Sequence, residues 1–572
     1  MPCDHLYTTH TELHKMLFRI FILLTFISEG ILAQNMLDTT FFDSPIRHDI
    51  VLAGSFGELR TTHFHAGIDI KPSKFNTEGD SIFVAGPGHI SRIKIQEGGY
   101  GHVLYIDHPN GYTSVYAHMQ VFQDSIESYI QDLQLSSQSY EIDIYPQPNK
   151  FVIPRGAFLG LLGNSGRSYG AHLHFEIRNT ISETPINPLL FGIGPTDSRA
   201  PTVPSVSIHG LSPDHQQTHF SNYPTRSIDK GLYTINDGLV SIPAWRVGVL
   251  LQGWDRMDGA SNKNGIYRIE MRVDDTLHYG VTVDSINWSE TAYIKTHVDY
   301  ADRKNNKRTA VRCYQMPNNP LSIYDNLGRS GIFSLYSNQP RKINIVASDF
   351  EGNTSIVDFK ILRDSEITSK NNTFEKLVKY NKAVNFKLGS SHISIKENSL
   401  DRDLYLSYSE YTDQLKTIYH IHKDEVPIYS PIQVTVPIQK VDSTIIGKLC
   451  AVSVNYKGLM TYAGGKTTAN DSLTFYIKAF GDYRLHIDTI PPTVQRMPTD
   501  NKEYLTYKVE DELSDITVNT YVDNRWVITP YKVLDKTLKV YKRDLSSEDE
   551  LLKIVVMDAN KNRLIYTEDL RE

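Results

Sequence analysis

The sequence predicts a mainly β protein made of several domains, and three observations lead to that prediction. The chain has 572 residues, which is too many for one hydrophobic core and suggests about three or four domains. It contains 34 tyrosines, and short apolar runs separated by turn residues recur along most of its length, as is typical of strands. Apolar residues at helical spacing are scarce.

Composition excludes some function classes. Hydrophobic residues make up 40% and charged residues 22% of the chain, as in soluble globular proteins. The net charge of -7 gives no basic footprint, so nucleic acid is not an expected partner. Beyond the N-terminal segment the cysteines are Cys313 and Cys450; a disulfide between them is possible in an oxidising compartment, but their positions do not predict it. Without a C-x-x-C pair, a thiolate zinc site is excluded.

The first element, residues 1–34, has the pattern of an export signal. Lys15 and Arg19 flank the start of an apolar run of roughly a dozen residues, and the small residue Ala33 suits a cleavage site. The run is too short for a comfortable membrane span. We expect an exported protein, soluble or peripherally attached, in the periplasm, the cell envelope or outside the cell. Met16 is an alternative start, and a buried N-terminal helix is the competing interpretation.

The first predicted domain, residues 35–195, is rich in Gly and His. Eight of the 21 histidines lie between residues 63 and 174. HVLYIDHPNGYTSVYAHM (102–119) predicts two strands joined by a Pro-Asn-Gly turn. Residues 121–150 form a polar stretch that we interpret as an insertion. One helix is predicted within it, from an apolar face and a capping residue: Ile126, Ile130 and Leu133, with Asp124 or Ser125 as the cap.

Three further β domains are predicted downstream: residues 196–363, 364–487 and 488–572. DSRAPTV (197–203) resembles DTIPPTV (488–494). Val346-x-x-Asp349-x-x-x-Asn353 likewise resembles Val555-x-x-Asp558-x-x-x-Asn562. This internal repeat favours immunoglobulin-like β-sandwiches for the second and fourth domains, the second being long enough to carry an insertion or a second small unit. The third domain is β-rich, but its sequence does not indicate a particular fold.

The motifs that carry chemistry lie in the first domain, in THFHAGID (62–69) and AHLHFEIR (171–178). His65 and Asp69 flank Gly67, which permits a bend that lets the two side chains converge. Strand alternation places His172 and His174 on one face, where both can address one ion or one can act beside it. With His174, the first pair makes a two-His, one-Asp set that leaves a position open for water, as in catalytic zinc sites.

The ligand types suit zinc, although they do not exclude iron or manganese. Zinc would generate hydroxide at neutral pH. The reaction then needs a base for the water and a donor for the developing oxyanion. His118, at the end of a strand, and His172 are the candidates for these roles.

This set of motifs resembles the lysostaphin/LytM-type zinc endopeptidases, which cut peptide bonds in bacterial cell walls. The resemblance covers roughly residues 50–190 and includes H-x-G-x-D at 65–69, YAHM at 116–119, GNSG at 163–166 and HLHFE at 172–176. It implies a compact antiparallel β-sheet domain with one zinc ion. It also assigns the ligands and the catalytic pair: His65, Asp69 and His174 as ligands, His118 and His172 as the pair. The departures are the insertion and Met119, where Leu is usual.

Other polar residues near these motifs have less specific interpretations. His63 is expected at the surface or along a groove, and His102 and His108 are expected to be structural or exposed. Glu176 shares a face with the histidines and is expected to hydrogen bond one of them or to form a salt bridge. Arg60 has two interpretations of equal weight: it anchors a substrate carboxylate, or it pairs with an acid of the protein.

The leading functional hypothesis is a zinc endopeptidase that acts on peptidoglycan stem peptides or cross-links. One alternative is a LytM-like activator or scaffold without catalysis, and another is a wall-binding adhesion protein with an accessory peptidase. Zinc D-Ala-D-Ala peptidases space their first His and Asp further apart than His65 and Asp69. The expected partners are peptidoglycan peptides and, through the C-terminal β domains, wall or envelope proteins. The bond cleaved, and endopeptidase versus carboxypeptidase action, remain open.

Overall fold

The computed structural model describes residues 38–571, apart from 326, 337–338, 365–373, 414–415, 439–440, 469–470, 499–500 and 547. The fold is mainly β, as predicted, with 47% of residues in strands and 9% in helices. The predicted export signal lies outside the described residues. Within the described part of the chain, no helix combines the length and the apolar character needed to cross a membrane.

The first domain is built on antiparallel strands. Its strands and one long helix are β1 (Leu52–Gly54), β2 (Ile68–Ile70), β3 (Ser81–Phe83), β4 (Gly88–Ile95), β5 (His102–Asp107), β6 (Tyr112–Ala117), β7 (Met119–Phe122), α1 (Asp124–Ser137), β8 (Ile142–Ile144), β9 (Val152–Ile153), β10 (Phe158–Leu162), β11 (Leu173–Asn179) and β12 (Pro185–Ile186). The main sheet has the order β1-β2-β11-β6-β5-β4-β8, with β12 beside β11 and β9 beside β4. A second sheet has the order β3-β10-β7.

Two predictions about local structure in this domain have different outcomes. The hairpin is confirmed, because β5 and β6 pair across a turn in which Gly111 has a positive φ of 83°. The predicted helix is α1, with Ile126 buried against the core. The predicted cap is wrong: the N-cap is Gln123, which makes no side-chain cap bond. Instead, the backbone N–H of Phe122 donates to the Glu127 carboxylate, which reaches back past the helix start.

The second domain contains one large sheet with a helical segment between its strands β19 and β22. Its elements are β13 (Thr202–Leu211), β14 (Gln217–Asp229), β15 (Leu232–Ile235), β16 (Leu239–Ile242), β17 (Arg246–Trp254), β18 (Arg268–Val273), β19 (Thr276–Thr282), α2 (Ile294–His297), α3 (Tyr300–Asn306), β20 (Ala310–Arg312), β21 (Phe333–Ser334), β22 (Arg341–Ser348) and β23 (Thr354–Arg363). The order is β19-β18-β22-β23-β15-β14-β13-β17-β20. Strands β15 and β16 both run parallel to β23.

The third domain has two larger sheets and a short strand pair around a separate core. Its strands are β24 (Lys376–Val378), β25 (Val384–Leu388), β26 (Ser391–Ile395), β27 (Leu404–Leu406), β28 (Tyr408–Asp413), β29 (Lys416–Ile421), β30 (Ile432–Pro437), β31 (Leu449–Val454), β32 (Met460–Gly464), β33 (Lys466–Thr468), β34 (Ser472–Ile477) and β35 (Gly481–Ile487).

The fourth domain is a sandwich of two antiparallel sheets, β36-β37-β41-β40 and β39-β38-β42-β43, with a core of its own. Its strands are β36 (Thr493–Met497), β37 (Tyr504–Glu510), β38 (Ile516–Val522), β39 (Arg525–Val527), β40 (Tyr531–Lys532), β41 (Thr537–Tyr541), β42 (Leu551–Asp558) and β43 (Arg563–Asp569). The immunoglobulin-like type of the second and fourth domains stays a prediction. Cys313 and Cys450 are both free and buried.

The first and second domains share one hydrophobic core. Buried apolar side chains form a single cluster that extends along the chain from Phe42 to Ile361. Hydrogen bonds cross the same boundary: Gly265 N donates to Ser55 Oγ at 3.0 Å, and Phe64 N donates to Thr291 Oγ1 at 3.2 Å. The second domain therefore packs directly behind the loop that carries the H-x-G-x-D motif.

Candidate metal centre and active site

Strand register brings the two halves of the candidate site together. Asp69 on β2 lies directly opposite His174 on the neighbouring antiparallel strand β11. Directly opposite residues project to the same face of a sheet. The adjacent positions, Ile68 and Phe175, are fully buried in the core on the other face. The apolar alternation therefore determines which face receives the aspartate and the histidine.

Three side chains converge at this point. His65 Nε2 lies 2.9 Å from Asp69 Oδ1 and 3.0 Å from His174 Nδ1. His174 Nδ1 lies 2.9 Å from the same Asp69 oxygen. All three residues are buried. This geometry matches the candidate ligand set from the sequence and can place two imidazole nitrogens and a carboxylate oxygen on one ion.

Hydrogen bonds from behind fix the orientation of both candidate ligand rings. His65 Nδ1 donates to the carbonyl oxygen of Ser55 at 2.7 Å, and His174 Nε2 donates to Glu176 Oε1 at 2.7 Å. The proton of each neutral imidazole is thereby held away from the centre. When both rings are neutral, the lone pairs of His65 Nε2 and His174 Nδ1 face the same carboxylate oxygen with no proton between them. A cation fits that arrangement.

Glu176 is part of a buried charged group behind His174. Its carboxylate accepts from Arg178 Nε at 2.5 Å and from the Tyr100 hydroxyl at 2.5 Å. Burial opposes ionisation of Glu176, but the charge of Arg178 and the hydrogen bond from His174 outweigh it and lower its pKa to about 2. Burial also disfavours a charge on His174, but its bonds with Asp69 and Glu176 outweigh that and raise its pKa to about 9.

His118 and His172 lie beside the three converging side chains. Each donates from Nδ1 to a backbone carbonyl: His118 to Ser165 and His172 to Gly170, both at 2.8 Å. Their ring centroids are 4.7 Å apart, and His172 Nε2 lies 3.5 Å from Asp69 Oδ1. The Nε2 atoms of both rings are therefore free of these backbone bonds, and that of His172 faces Asp69.

The backbone and burial of His118 are both unusual. This residue joins β6 to β7 with a φ of 59°, a conformation that is uncommon for residues other than glycine and is found at functional sites. Burial, with the nearby His172 and His174, lowers the pKa of His118 to about 3. Its ring is therefore neutral at neutral pH.

Two glycines permit the close approach of these strands. Gly67 needs no left-handed conformation; a Cβ there would lie 2.3 Å from the carbonyl oxygen of Phe175 on β11. Its role is thus close packing, in addition to the bend expected from the sequence. Gly54 lies opposite Asp69 in the β1–β2 pair. A Cβ on Gly54 would lie 2.5 Å from Arg60 Nη2 and 2.7 Å from Asp69 Oδ2.

Arg60 contacts the outer oxygen of the candidate ligand Asp69. Its Nη2 donates to Asp69 Oδ2 at 2.8 Å and lies 3.5 Å from Glu58 Oε2. Burial raises the pKa of Glu58 to about 7, against the opposing charge of Arg60. Of the two interpretations of Arg60, this geometry corresponds to pairing with an acid of the protein. His63 is exposed and lies outside the group of converging side chains.

Sequence reasoning missed several residues that support the site. Ser165 and Gly170 contribute backbone carbonyls to the two outer histidines, and Ser55 contributes one to His65; a carbonyl acceptor has no signature in the sequence. Arg178 could have been identified, because it continues the alternation of His174 and Glu176 on β11 by one more step. Tyr100 lies in a turn distant in sequence and carried no signal.

Comparison with known proteins agrees with the resemblance seen in the sequence. Residues 63–132 match the model of Peptidase family M23, and residues 375–488 match the model of the Zu5-like domain. The peptidase match includes His65, Asp69 and His118 and ends before His172. The DD-carboxypeptidase/endopeptidase Mpg of Neisseria meningitidis and that of Neisseria gonorrhoeae are each 30% identical to this chain over 131 residues. The match spans 23% of this chain and 23% of the length of each relative.

Solved structures of similar proteins each match about a quarter of the chain. The catalytic domain of the M23 protein EnpA from Enterococcus faecalis is 20% identical, with a TM-score of 0.19; the match covers 26% of this chain and 95% of that one. The catalytic domain of lysostaphin from Staphylococcus simulans is 19% identical, with a TM-score of 0.18, over 24% of this chain and 87% of that one. The family-model match over residues 63–132 identifies a peptidase domain of the M23, or LytM/lysostaphin, type within the chain.

Proposed function

We propose that this protein is an exported zinc metalloendopeptidase that hydrolyses peptide bonds in the stem peptides or cross-links of peptidoglycan. The observation that carries the proposal is the convergence of His65 Nε2, Asp69 Oδ1 and His174 Nδ1, each within 3.0 Å of the other two. Two imidazoles and one carboxylate are a donor set that zinc favours, and three protein ligands leave a position for water.

The chain's own residues supply the remaining functions of the proposed site. A zinc ion held by the three ligands would supply Lewis acidity and lower the pKa of water from 15.7 to about 7. His118 is neutral at neutral pH, so its Nε2 can accept a proton from the attacking water. His172 presents Nε2 beside Asp69, and either histidine, once protonated, can stabilise the oxyanion or protonate the leaving amine. Arg60 holds the second oxygen of Asp69 away from the site.

The substrate class is supported by the relatives. The two Neisseria proteins are named for DD-carboxypeptidase and endopeptidase activity, which supports wall peptides as the substrate and leaves both types of cleavage open. Because all five expected side chains are present at the site, a role as a non-catalytic scaffold is disfavoured. Wall or envelope proteins are proposed as further partners of the C-terminal β domains.

The proposal is tested by incubating the purified full-length chain with peptidoglycan and analysing the released fragments by mass spectrometry. We expect fragments cut at a peptide bond, loss of this activity with a chelator, and its recovery on addition of zinc. His174→Ala should be inactive, whereas His63→Ala, which changes an exposed residue next to the same motif, should retain activity. Activity of His174→Ala, or of the chelated protein, would contradict the proposal.

Export is tested separately. We expect the protein in the envelope or extracellular fraction to begin near residue 34, as measured by N-terminal sequencing. A cytoplasmic protein that retains residues 1–34 would contradict this part of the proposal and would leave the peptidase assignment untouched.

A further inference from the structure

A second group of acidic side chains lies in the second domain, outside the peptidase site. Asp197 precedes β13, Asp255 directly follows β17, and Asp349 directly follows β22. One carboxylate oxygen of each lies within 4.8 Å of one oxygen of each of the others. We refer to these three residues as the Asp255 cluster. Asp255 and Asp349 are buried, with 1% and 5% of their surface exposed.

The Asp255 cluster contains buried oxygens that no protein group satisfies. Asp349 is paired, because both of its oxygens accept from Asn353. By contrast, Asp255 Oδ1 and Asp197 Oδ2 are buried and have no hydrogen-bond partner. Among the described residues, no lysine, arginine or histidine forms an ion pair with the cluster. Buried carboxylates that lack partners are strongly unfavourable in the charged form unless a cation compensates them, and otherwise they retain a proton.

An unpartnered amide next to the cluster gives independent support. Asn264 is 2% exposed, and neither its side-chain nitrogen nor its side-chain oxygen has a partner. Its backbone exchanges two hydrogen bonds with that of Asp255, at 2.8 and 3.0 Å. Residues paired in this way on antiparallel segments project to the same side. The Asn264 amide is therefore directed to the side on which Asp255 faces the other two carboxylates.

The fourth domain contains a matched comparison within the same chain. Asp488, Asp511 and Asp558, here called the Asp511 cluster, also have one oxygen each within 4.8 Å of the others. The repeat noted in the sequence aligns Asp488 with Asp197 and Asp558 with Asp349. The same asparagine hydrogen bonds occur in both clusters. In the second domain, Asn353 Nδ2 donates to the Asp349 carboxylate and to the Asp197 carbonyl. In the fourth domain, Asn562 Nδ2 donates to the Asp558 carboxylate and to the Asp488 carbonyl.

The two clusters differ in how their acids are satisfied. Asn560 Nδ2 donates to Asp488 Oδ2 at 2.8 Å. The residue two positions after Asp349 is the exposed Glu351, so Asp197 Oδ2 has no equivalent donor. Asp511 Oδ2 accepts two backbone N–H groups, from Leu513 and Ser514, whereas Asp255 Oδ1 accepts none. In the second domain Asp197 Oδ1 accepts from the backbone N–H groups of Arg199 and Asp258. The oxygens of that cluster left without a donor are Asp197 Oδ2 and Asp255 Oδ1.

We propose that Asp197, Asp255 and Asp349, together with the side-chain oxygen of Asn264, form a calcium-binding site in the second domain. Carboxylate and amide oxygens are the ligands of hard divalent cations, and a set with neither nitrogen nor sulfur does not favour zinc. Calcium accepts such oxygens in irregular geometry, whereas magnesium requires near-ideal octahedral geometry and retains its waters. An affinity of about 10⁻⁴–10⁻³ M, as in extracellular modules, is expected.

The test uses the full-length, zinc-loaded chain, dialysed against calcium chloride, with bound calcium measured per chain. We expect one calcium that is bound at least about tenfold more weakly in Asp255→Asn and Asn264→Ala, since each removes a proposed ligand. Asp511→Asn in the matched cluster should bind calcium as the unchanged protein does. Two variants are used because one could fail to fold, and circular dichroism identifies the folded one.

Several results would overturn the proposal. The first is that the unchanged chain binds no calcium at millimolar concentration. The second is that Asp255→Asn and Asn264→Ala fold and bind calcium as tightly as the unchanged chain. The third is that calcium binding is lost in Asp511→Asn alone. Displacement of the calcium by an equal concentration of magnesium would reject the choice of ion. None of these measurements depends on peptidase activity, so the outcome is separate from that of the proposed function.

Discussion

Two buried carboxylates, Glu176 in the first domain and Asp255 in the second, have opposite environments. Burial disfavours the charge of both. At Glu176 the opposing charge of Arg178 and the bond from His174 prevail and lower the pKa to about 2. At Asp255, burial together with the charges of Asp197 and Asp349 raises the pKa to about 7. A buried acid is thus readily ionised where the fold supplies partners, and elsewhere it requires a proton or a ligand.

The largest expected effect is on catalysis at the candidate metal centre, where the buried Glu176 is paired with Arg178 and His174. His118→Ala and His172→Ala should each lower kcat by about 10²–10⁴-fold, the usual contribution of a general acid–base group. Both variants should retain zinc, because neither residue belongs to the three converging ligands. Steady-state kinetics and metal analysis of the same samples measure the two quantities. Loss of zinc in either variant would show that the division into ligands and proton-transfer groups is wrong.

Removing the charge of Glu176 should have a smaller effect, on zinc affinity. Glu176→Gln should weaken zinc binding by about 10–100-fold, because the group that orients His174 loses its charge and Arg178 loses its counter-ion. Competition with a chelator measures this affinity. Asp143→Asn, which breaks a more exposed ion pair with Arg92 in the same domain, is the matched control and should bind zinc normally. Equal affinity of Glu176→Gln and the control would contradict the proposed support of His174.

Arg60→Ala tests whether this arginine supports the metal ligand Asp69 or binds the substrate. Because Arg60 bonds the outer oxygen of Asp69, we expect zinc affinity and kcat to fall by about tenfold or less with KM unchanged. Kinetics with a short wall peptide separate the two parameters. A rise in KM at normal zinc affinity would instead support the interpretation in which Arg60 anchors a substrate carboxylate.

The smallest expected effect is a change in the stability of the folded chain caused by Asp255, whose charge has no compensating partner. The pKa of Asp255 in the folded chain, about 7, lies above the ordinary value of 3.8, so the folded state binds this proton more tightly than the unfolded state. Stability is then lost as pH rises from about 4 to 7. In chelator, Asp255→Asn should melt several degrees higher than the unchanged chain at pH 8 and no higher at pH 4. An equal difference at both pH values would argue against this environment of Asp255.

The sequence predicted the candidate site more completely than the groups that orient its histidines. Strand alternation around His174 and the spacing of His65 and Asp69 are local patterns, which a sequence shows directly. The pairing of β2 with β11 was not predicted and is a finding of the structure. The groups that orient the histidines are mostly backbone carbonyls, whose positions depend on tertiary contacts. The mainly β fold was predicted from composition and turns.

Two features of the wider fold were not accessible from local patterns. The cap of α1 was predicted incorrectly, because Glu127 reaches back across the helix start and replaces the expected Asp124 or Ser125 cap. The common core of the first two domains was not anticipated, because apolar alternation shows that a face is buried without showing what covers it.

Because they share this core, the first and second domains are not separable units. Gly57, with a φ of 72°, lies so close to the second domain that a Cβ there would be 2.3 Å from Val283 Cγ1. Cutting the chain at residue 195 would expose both sides of this contact and remove the Gly265 donor from Ser55. We therefore expect the first two domains to unfold together and to be inherited together, so that recombination and protease trimming would preserve residues 38–363 as one piece.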